Sequence, residues 1–145
     1  MTFNLEWARD ASNEITNSYV GNVARMNPFT GELERETVIH HEGPGYYNTP
    51  NSGWWKLMEI LDIVGMLADD IDRSDTKGLP LSKLGINGGQ LVSPEEIDEA
   101  LEIFRSDDLA VTKVLAAGGV QAVSILIEWV AWIVEAREHG GFIVN

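Results

Sequence analysis

The segment from Val120 to Val134 constrains the fold more than any other. It is the most apolar stretch of the chain, broken only by Gln121, Ser124 and Glu128. A bilayer span needs roughly 20 consecutive, predominantly apolar residues, and this stretch falls short. It reads as the buried core helix of a soluble protein, running on to His139. Gln121, Ser124, Glu128 and Glu135 then fall near one stripe. Trp129 and Trp132, at i and i+3, are expected in the core or at a helix–helix dimer face.

A chain of 145 residues, 44% of them hydrophobic, supports one core. The expectation is a single domain over 1–145, with a strand- and loop-rich part at 1–50 and a helical main part at 53–145. Glu14–Thr16 with Tyr19–Val23 read as one extended strand or a short strand pair, and Glu36–His40 as a second strand, with a turn at Asn27–Gly31 between them. Gly43 to Gly53 reads as a loop. A helix follows from Trp54 to about Asp69 or Asp70, with Ser52 as its cap. Asn87-Gly88 predicts a hairpin over 83–92, because both central residues of a type I′ turn need positive φ.

Ser93-Pro94-Glu95-Glu96 has the form of a capping box, with proline at the first helical position. That helix is expected to run to about Arg105, with Ile97, Leu101 and Phe104 inward. Asp107 or Asp108 would cap the next helix, Gly118-Gly119 would break it, and Gly140-Gly141 would end it. The fold class is α+β: three to four helices packed on a small antiparallel sheet. The sheet comprises the 83–92 hairpin and a C-terminal strand at 141–144, with an N-terminal β-ribbon.

Ten Lys and Arg against 23 Asp and Glu give a net charge of −13. Such a field repels nucleic acid and anionic membrane. The absence of Cys excludes disulfides, Cys-ligated metal and a thiol nucleophile. Met1–Trp7 lacks the basic start and apolar run of a secretory signal, so the expected location is the cytoplasm.

No residue pattern specifies a catalytic centre. His40-His41-Glu42 places two histidines beside a carboxylate, but neighbours on a strand face opposite ways. Asp69, Asp70, Asp72 and Asp75 resemble a cation loop, yet position six is Asp75 where an EF-hand needs Gly, and position twelve is Leu81 where it needs Glu. Gly85-x-x-Gly88-Gly89 has no Gly-Lys-Ser/Thr, and there is no Gly-x-Ser-x-Gly. No cofactor or metal is expected. Tyr46, Tyr47, Trp54 and Trp55 form an aromatic cluster suited to an interface, and one of the two Trp side chains must turn away from the core.

Gly53-Trp54-Trp55, Lys77-Gly78-Leu79-Pro80, Asn87-Gly88, Val92-Ser93-Pro94-Glu95-Glu96 and His139-Gly140-Gly141-Phe142 together resemble small uncharacterised proteins of actinobacteria and their phages, over residues 53–145. Ile15-Thr16 through Asn22 and Met26 are similar to the polar N-terminal strand of some small phage proteins. These motifs are turns and caps; the resemblance implies a scaffold and carries no activity.

Three functional readings follow. The first is a non-enzymatic acidic interaction protein, phage-encoded and acting in a bacterial host, that binds a basic surface of a host protein. A defence nuclease or a nucleic-acid-binding protein is the kind of target expected. The second is a small enzyme or ligand-binding protein whose pocket is lined by His40, His41, Tyr46, Tyr47 and Asn48. The third is a self-associating structural or assembly component, hence a homo-oligomer. The acidic residues show no periodic stripe in this reading, which argues against mimicry of DNA.

Overall fold

The structure, a computed structural model, describes residues 2–8, 17–26, 29–42, 45–71, 76–86 and 88–144. In chain order the elements are β1 (Thr2–Trp7), β2 (Asn17–Met26), β3 (Leu33–Glu42), β4 (Tyr46–Pro50), α1 (Asn51–Ile63), β5 (Leu67–Ala68), β6 (Leu79–Pro80), α2 (Leu81–Leu84), β7 (Leu91–Val92), α3 (Pro94–Ser106), α4 (Ala110–Glu138) and β8 (Phe142–Val144). The class is α+β.

Alternation of Phe3, Leu5 and Trp7 with polar residues makes β1 a strand with one buried face. Antiparallel pairing puts β1 at the centre of a four-stranded sheet of order β4-β1-β8-β7. Leu5 lies between Tyr47 of β4 and Val144 of β8. The other antiparallel unit is the ribbon β2–β3, paired from Asn17↔Glu42 to Met26↔Leu33. It is the expected N-terminal ribbon: β2 runs past the expected Val23 to Met26, β3 extends beyond Glu36–His40 at both ends, and Glu14 lies outside the described residues. Of its turn, Asn27 and Pro28 lie outside the described residues, as do Ile15 and Thr16 of the resemblance.

Gly43–Gly53 is not a loop. Residues 46–50 form the edge strand β4, and helix α1 starts directly at Asn51. Pro50 is therefore the N-cap residue, and Ser52 lies inside the first turn instead of capping it. An edge position tolerates Pro50 because one side of the strand needs no backbone partner. At its other end α1 stops at Ile63, short of the expected Asp69. Gly65 takes φ +75° there, and a Schellman motif closes the helix. Its two bonds run from Met66 N–H to the Leu61 carbonyl (3.0 Å) and from Gly65 N–H to that of Asp62 (3.1 Å).

The 83–92 hairpin does not form either. Leu81–Leu84 is a helical turn, Asn87 lies outside the described residues, and only Leu91–Val92 joins the sheet, against β8. The Lys83 ammonium bonds the Leu91 carbonyl at 2.8 Å, which blunts that edge of the sheet. Asp70 accepts from the Ser82 N–H (2.8 Å) and hydroxyl, so it caps α2. Its carboxylate sits at a helix start, where the dipole favours it, and not at a helix end. Asp72 and Asp75 lie outside the described residues.

The capping box forms as expected: Ser93 Oγ accepts from Glu96 N–H (3.2 Å) and Glu96 Oε1 from Ser93 N–H (2.9 Å). Asp107 contributes to the next helix start by accepting from Leu109 N–H at 3.0 Å. Gly119, at φ +74° and ψ −168°, kinks α4 where the break was expected. Gly140 and Gly141 take φ +82° and +95° and turn the chain into β8.

The core lies between the sheet and the helices. Trp129 is its hub, with Tyr47 at 5.2 Å, Phe142 at 5.6 Å, Trp132 at 5.8 Å and Trp54 at 5.9 Å between ring centroids. Trp129 and Trp132 are thus core residues and not a dimer face. The segment Val120–Val134, expected as a buried core helix, is buried only in part, and α4 as a whole is largely exposed. Only 22% of its most apolar 18-residue window is buried, and Val120 and Ile127 are 77% and 57% exposed.

Candidate functional site

The aromatic cluster divides between surfaces. Trp54 is fully buried, stacks on Phe3 at 4.8 Å and donates its indole N–H to the Leu84 carbonyl at 2.9 Å. Trp55, one residue on, is 45% exposed and meets Phe3 only edge-on at 6.3 Å. On β4 the pleat separates Tyr47 from its neighbours. Tyr47 enters the core, opposite Leu5, while Tyr46 and Asn48 sit opposite Glu6 and Asn4 on the other face. His40 and His41 stand on β3, paired with Tyr19 and Ser18. The pocket expected from His40, His41, Tyr46, Tyr47 and Asn48 would therefore need residues from both faces of β4. Gly43 and Pro44 lie outside the described residues.

Burial holds the Tyr47 phenol above its ordinary value of 10.0, and the nearby Glu128 carboxylate adds to the shift. Below the ordinary value the ring is neutral whether folded or unfolded. Above it the unfolded chain ionises first, so folding loses stability as pH rises. Tyr47→Phe is expected to match the parent in urea midpoint at neutral pH. It should surpass the parent at a pH of about 10.5 to 11, where the parent carries this cost. Equal alkaline losses in both proteins would remove Tyr47 as the cause.

A different surface carries a concentrated charge. In α3, Ile97, Ala100 and Leu101 are buried, which turns Glu95, Asp98, Glu99 and Glu102 outward. These four acids stand at i, i+3, i+4 and i+7, so they form the periodic stripe that the sequence reading missed. The signal was present, because the capping box already placed the start of α3. Glu96 turns away from the stripe, bound to Ser93 and, at 2.7 Å, to Lys83. Asp98 meets Arg137 at 3.1 Å in an exposed pair.

Beside the ridge lies a cleft of about 440 Å³, lined by Lys77, Glu99, Glu102, Ile103, Ser106 and Asp107. Glu99 accepts from Gly78 N–H at 3.3 Å, and Asp107 binds Lys113 at 2.7 Å. Ile103 is the one aliphatic side chain in this lining, set among the carboxylates and Lys77; a long cationic side chain could pack its stem there and pair its head with Glu102. Among the described residues, no group of three His, Asp or Glu side chains converges on one point as a metal site would require. No protein-family model, curated protein or solved structure matches the chain.

Proposed function

We propose that this chain is a non-enzymatic acidic interaction protein whose α3 ridge docks on a basic surface of another protein. The observation that carries the reading is the stripe of Glu95, Asp98, Glu99 and Glu102 beside a cleft that contains Ile103. A guanidinium or ammonium head reaching the cleft would meet Glu99 and Glu102 and rest its stem on Ile103. The net charge of −13 adds long-range steering towards a basic partner. The resemblance to phage proteins extends the proposal to a host cytoplasm, with a nucleic-acid-binding or defence protein as target.

The test compares tagged parent with the Glu95→Gln/Glu99→Gln/Glu102→Gln variant in capture from bacterial lysate, at low and high salt. Exposed ion pairs contribute about 0.2–1 kcal/mol each, so three should weaken binding of a captured basic protein by about tenfold. High salt should have the same effect on the parent. Equal capture by both proteins, or capture indifferent to salt, removes the ridge as the docking surface.

A further inference from the structure

The segment from Leu109 to Ile127 is an apolar surface that the fold leaves uncovered. Leu109, Val111, Leu115, Val120 and Ile127 are all exposed. The 29-residue helix α4 is long and apolar enough to cross a membrane, yet only 22% of its most apolar 18-residue window is buried. A core helix of that composition would be mostly buried. Lys113 is the only charged side chain between residues 109 and 127, and Asp107 pairs with it at 2.7 Å. All 23 Asp and Glu residues lie outside the segment.

The exposure runs round the helix, and that decides what kind of occupant fits. Seven consecutive residues, Leu115 to Gln121, are exposed. Seven residues make about two turns, so no single side here is the water side. Six of the seven are Leu, Ala, Gly or Val, and only Gln121 is polar. Even where α1 comes nearest, a hollow of about 60 Å³ remains between the helices, with Ile60, Ala117 and Gly118 in its lining. A groove or a partner helix covers one side of a helix and leaves the other wet. A fluid apolar phase closes round it.

Two features set the depth. At Gly119 (φ +74°, ψ −168°) the helical path breaks, which frees backbone groups that hydrocarbon cannot satisfy. Past that point Trp129, Trp132, Ile133 and Ala136 are held in the core, and crossing a bilayer would pull them out of it. The segment suits the boundary between headgroups and acyl chains instead, where a surface helix sinks about 5–10 Å and water still reaches the backbone. The Lys113 stem can lie on the apolar surface there, with its ammonium at headgroup level.

We infer that the Leu109–Ile127 segment of α4 seats this protein on the surface of an electrically neutral, zwitterionic lipid bilayer. Neutrality follows from charge: a net −13 opposes an anionic surface, and the segment carries no acid for a cationic one to attract. The inference does not depend on the acidic ridge of α3, which lies on another helix.

Flotation with phosphatidylcholine vesicles tests it on the full chain, and the parent should float. Val120→Glu and, separately, Leu115→Glu should lower the partition coefficient at least about tenfold, because a carboxylate would have to enter the acyl boundary. Both positions are exposed, so the circular dichroism melt without vesicles should be unchanged. The Glu95→Gln/Glu99→Gln/Glu102→Gln variant should float as well as the parent, which separates this surface from the ridge. The chain has no Cys, so Val120→Cys takes a polarity-sensitive nitrobenzoxadiazole label at one site. Its emission should shift to the blue on vesicles, while the same label at Glu95→Cys stays water-like. A parent that does not float, flotation indifferent to both Glu substitutions, or an unshifted label at position 120 overturns the inference. So does binding that requires phosphatidylglycerol, since the negative field should make that lipid weaken binding at low salt. A dimer seen by sedimentation velocity, without flotation and lost in Val120→Glu, assigns the face to a second copy instead.

Discussion

Replacing Trp54 by alanine is expected to lower the unfolding free energy by about 3–5 kcal/mol. The side chain is fully buried between Phe3 and Trp129, so truncation opens a cavity that the sheet and α4 cannot both relax to fill. The loss also strands the Leu84 carbonyl, which the indole N–H bonds at 2.9 Å. An unpaired buried acceptor adds about 1–3 kcal/mol unless water reaches it. Against a total stability of about 5–15 kcal/mol, the variant should be close to unfolded at moderate temperature. Trp55→Ala is the internal control. That side chain is 45% exposed and should cost no more than about 1 kcal/mol. Urea titrations followed by circular dichroism compare the two. Similar midpoints for both variants would contradict the packing described for Trp54.

Gly141→Ala is expected to cost at least about 3 kcal/mol, through the backbone and not the core. Gly141 has φ +95°, a conformation that strains any L side chain. A Cβ there would also collide with the Val92 carbonyl oxygen, forcing β7 and β8 apart. Gly65→Ala separates the two effects. Gly65 has φ +75°, but its added Cβ would meet only the Ile103 side chain, at an ordinary 3.5 Å. It should therefore show the conformational cost alone, about 1–2 kcal/mol. If the two glycine variants unfold at the same denaturant concentration, the collision with β7 contributes nothing.

Local signals in the sequence were legible where the chemistry is local. The capping box at Ser93, the glycine stop at Gly140-Gly141, the kink at Gly118-Gly119 and the two ribbon strands all depend on a few neighbouring residues. Gly65 carried a readable stop for α1, but Met66 and Leu67 prolong the apolar pattern past it and mask it. Phe3, Leu5 and Trp7 alternate plainly, yet their segment finds its place in the fold through two partners distant in sequence, β4 and β8. Tyr46–Pro50 looks like a loop in isolation and becomes a strand because β1 lies beside it. The same limit applies to the candidate surfaces. Apolar periodicity shows that a helix side avoids water, but not whether its own fold or another molecule covers it. That is why Val120 and Ile127, in the segment from Val120 to Val134, read as core. The acidic stripe on α3 needed only its inward residues to be placed, and so was within reach of the sequence.

The pairing of Leu5 with Val144 has a consequence for the chain as a polymer. Residues 5 to 144 form a ring fastened only by hydrogen bonds and packing between β1 and β8. Bringing the two ends of so long a segment together costs about 4 kcal/mol of chain entropy. A short peptide linking residue 145 to residue 1 would join neighbouring strands, and the unfolded chain would then already carry that restriction. Such a cyclic molecule could be reopened at a surface turn, such as Phe29-Thr30, with its sheet order intact. The scaffold is in this sense topologically closed, and its start and finish could be moved by design.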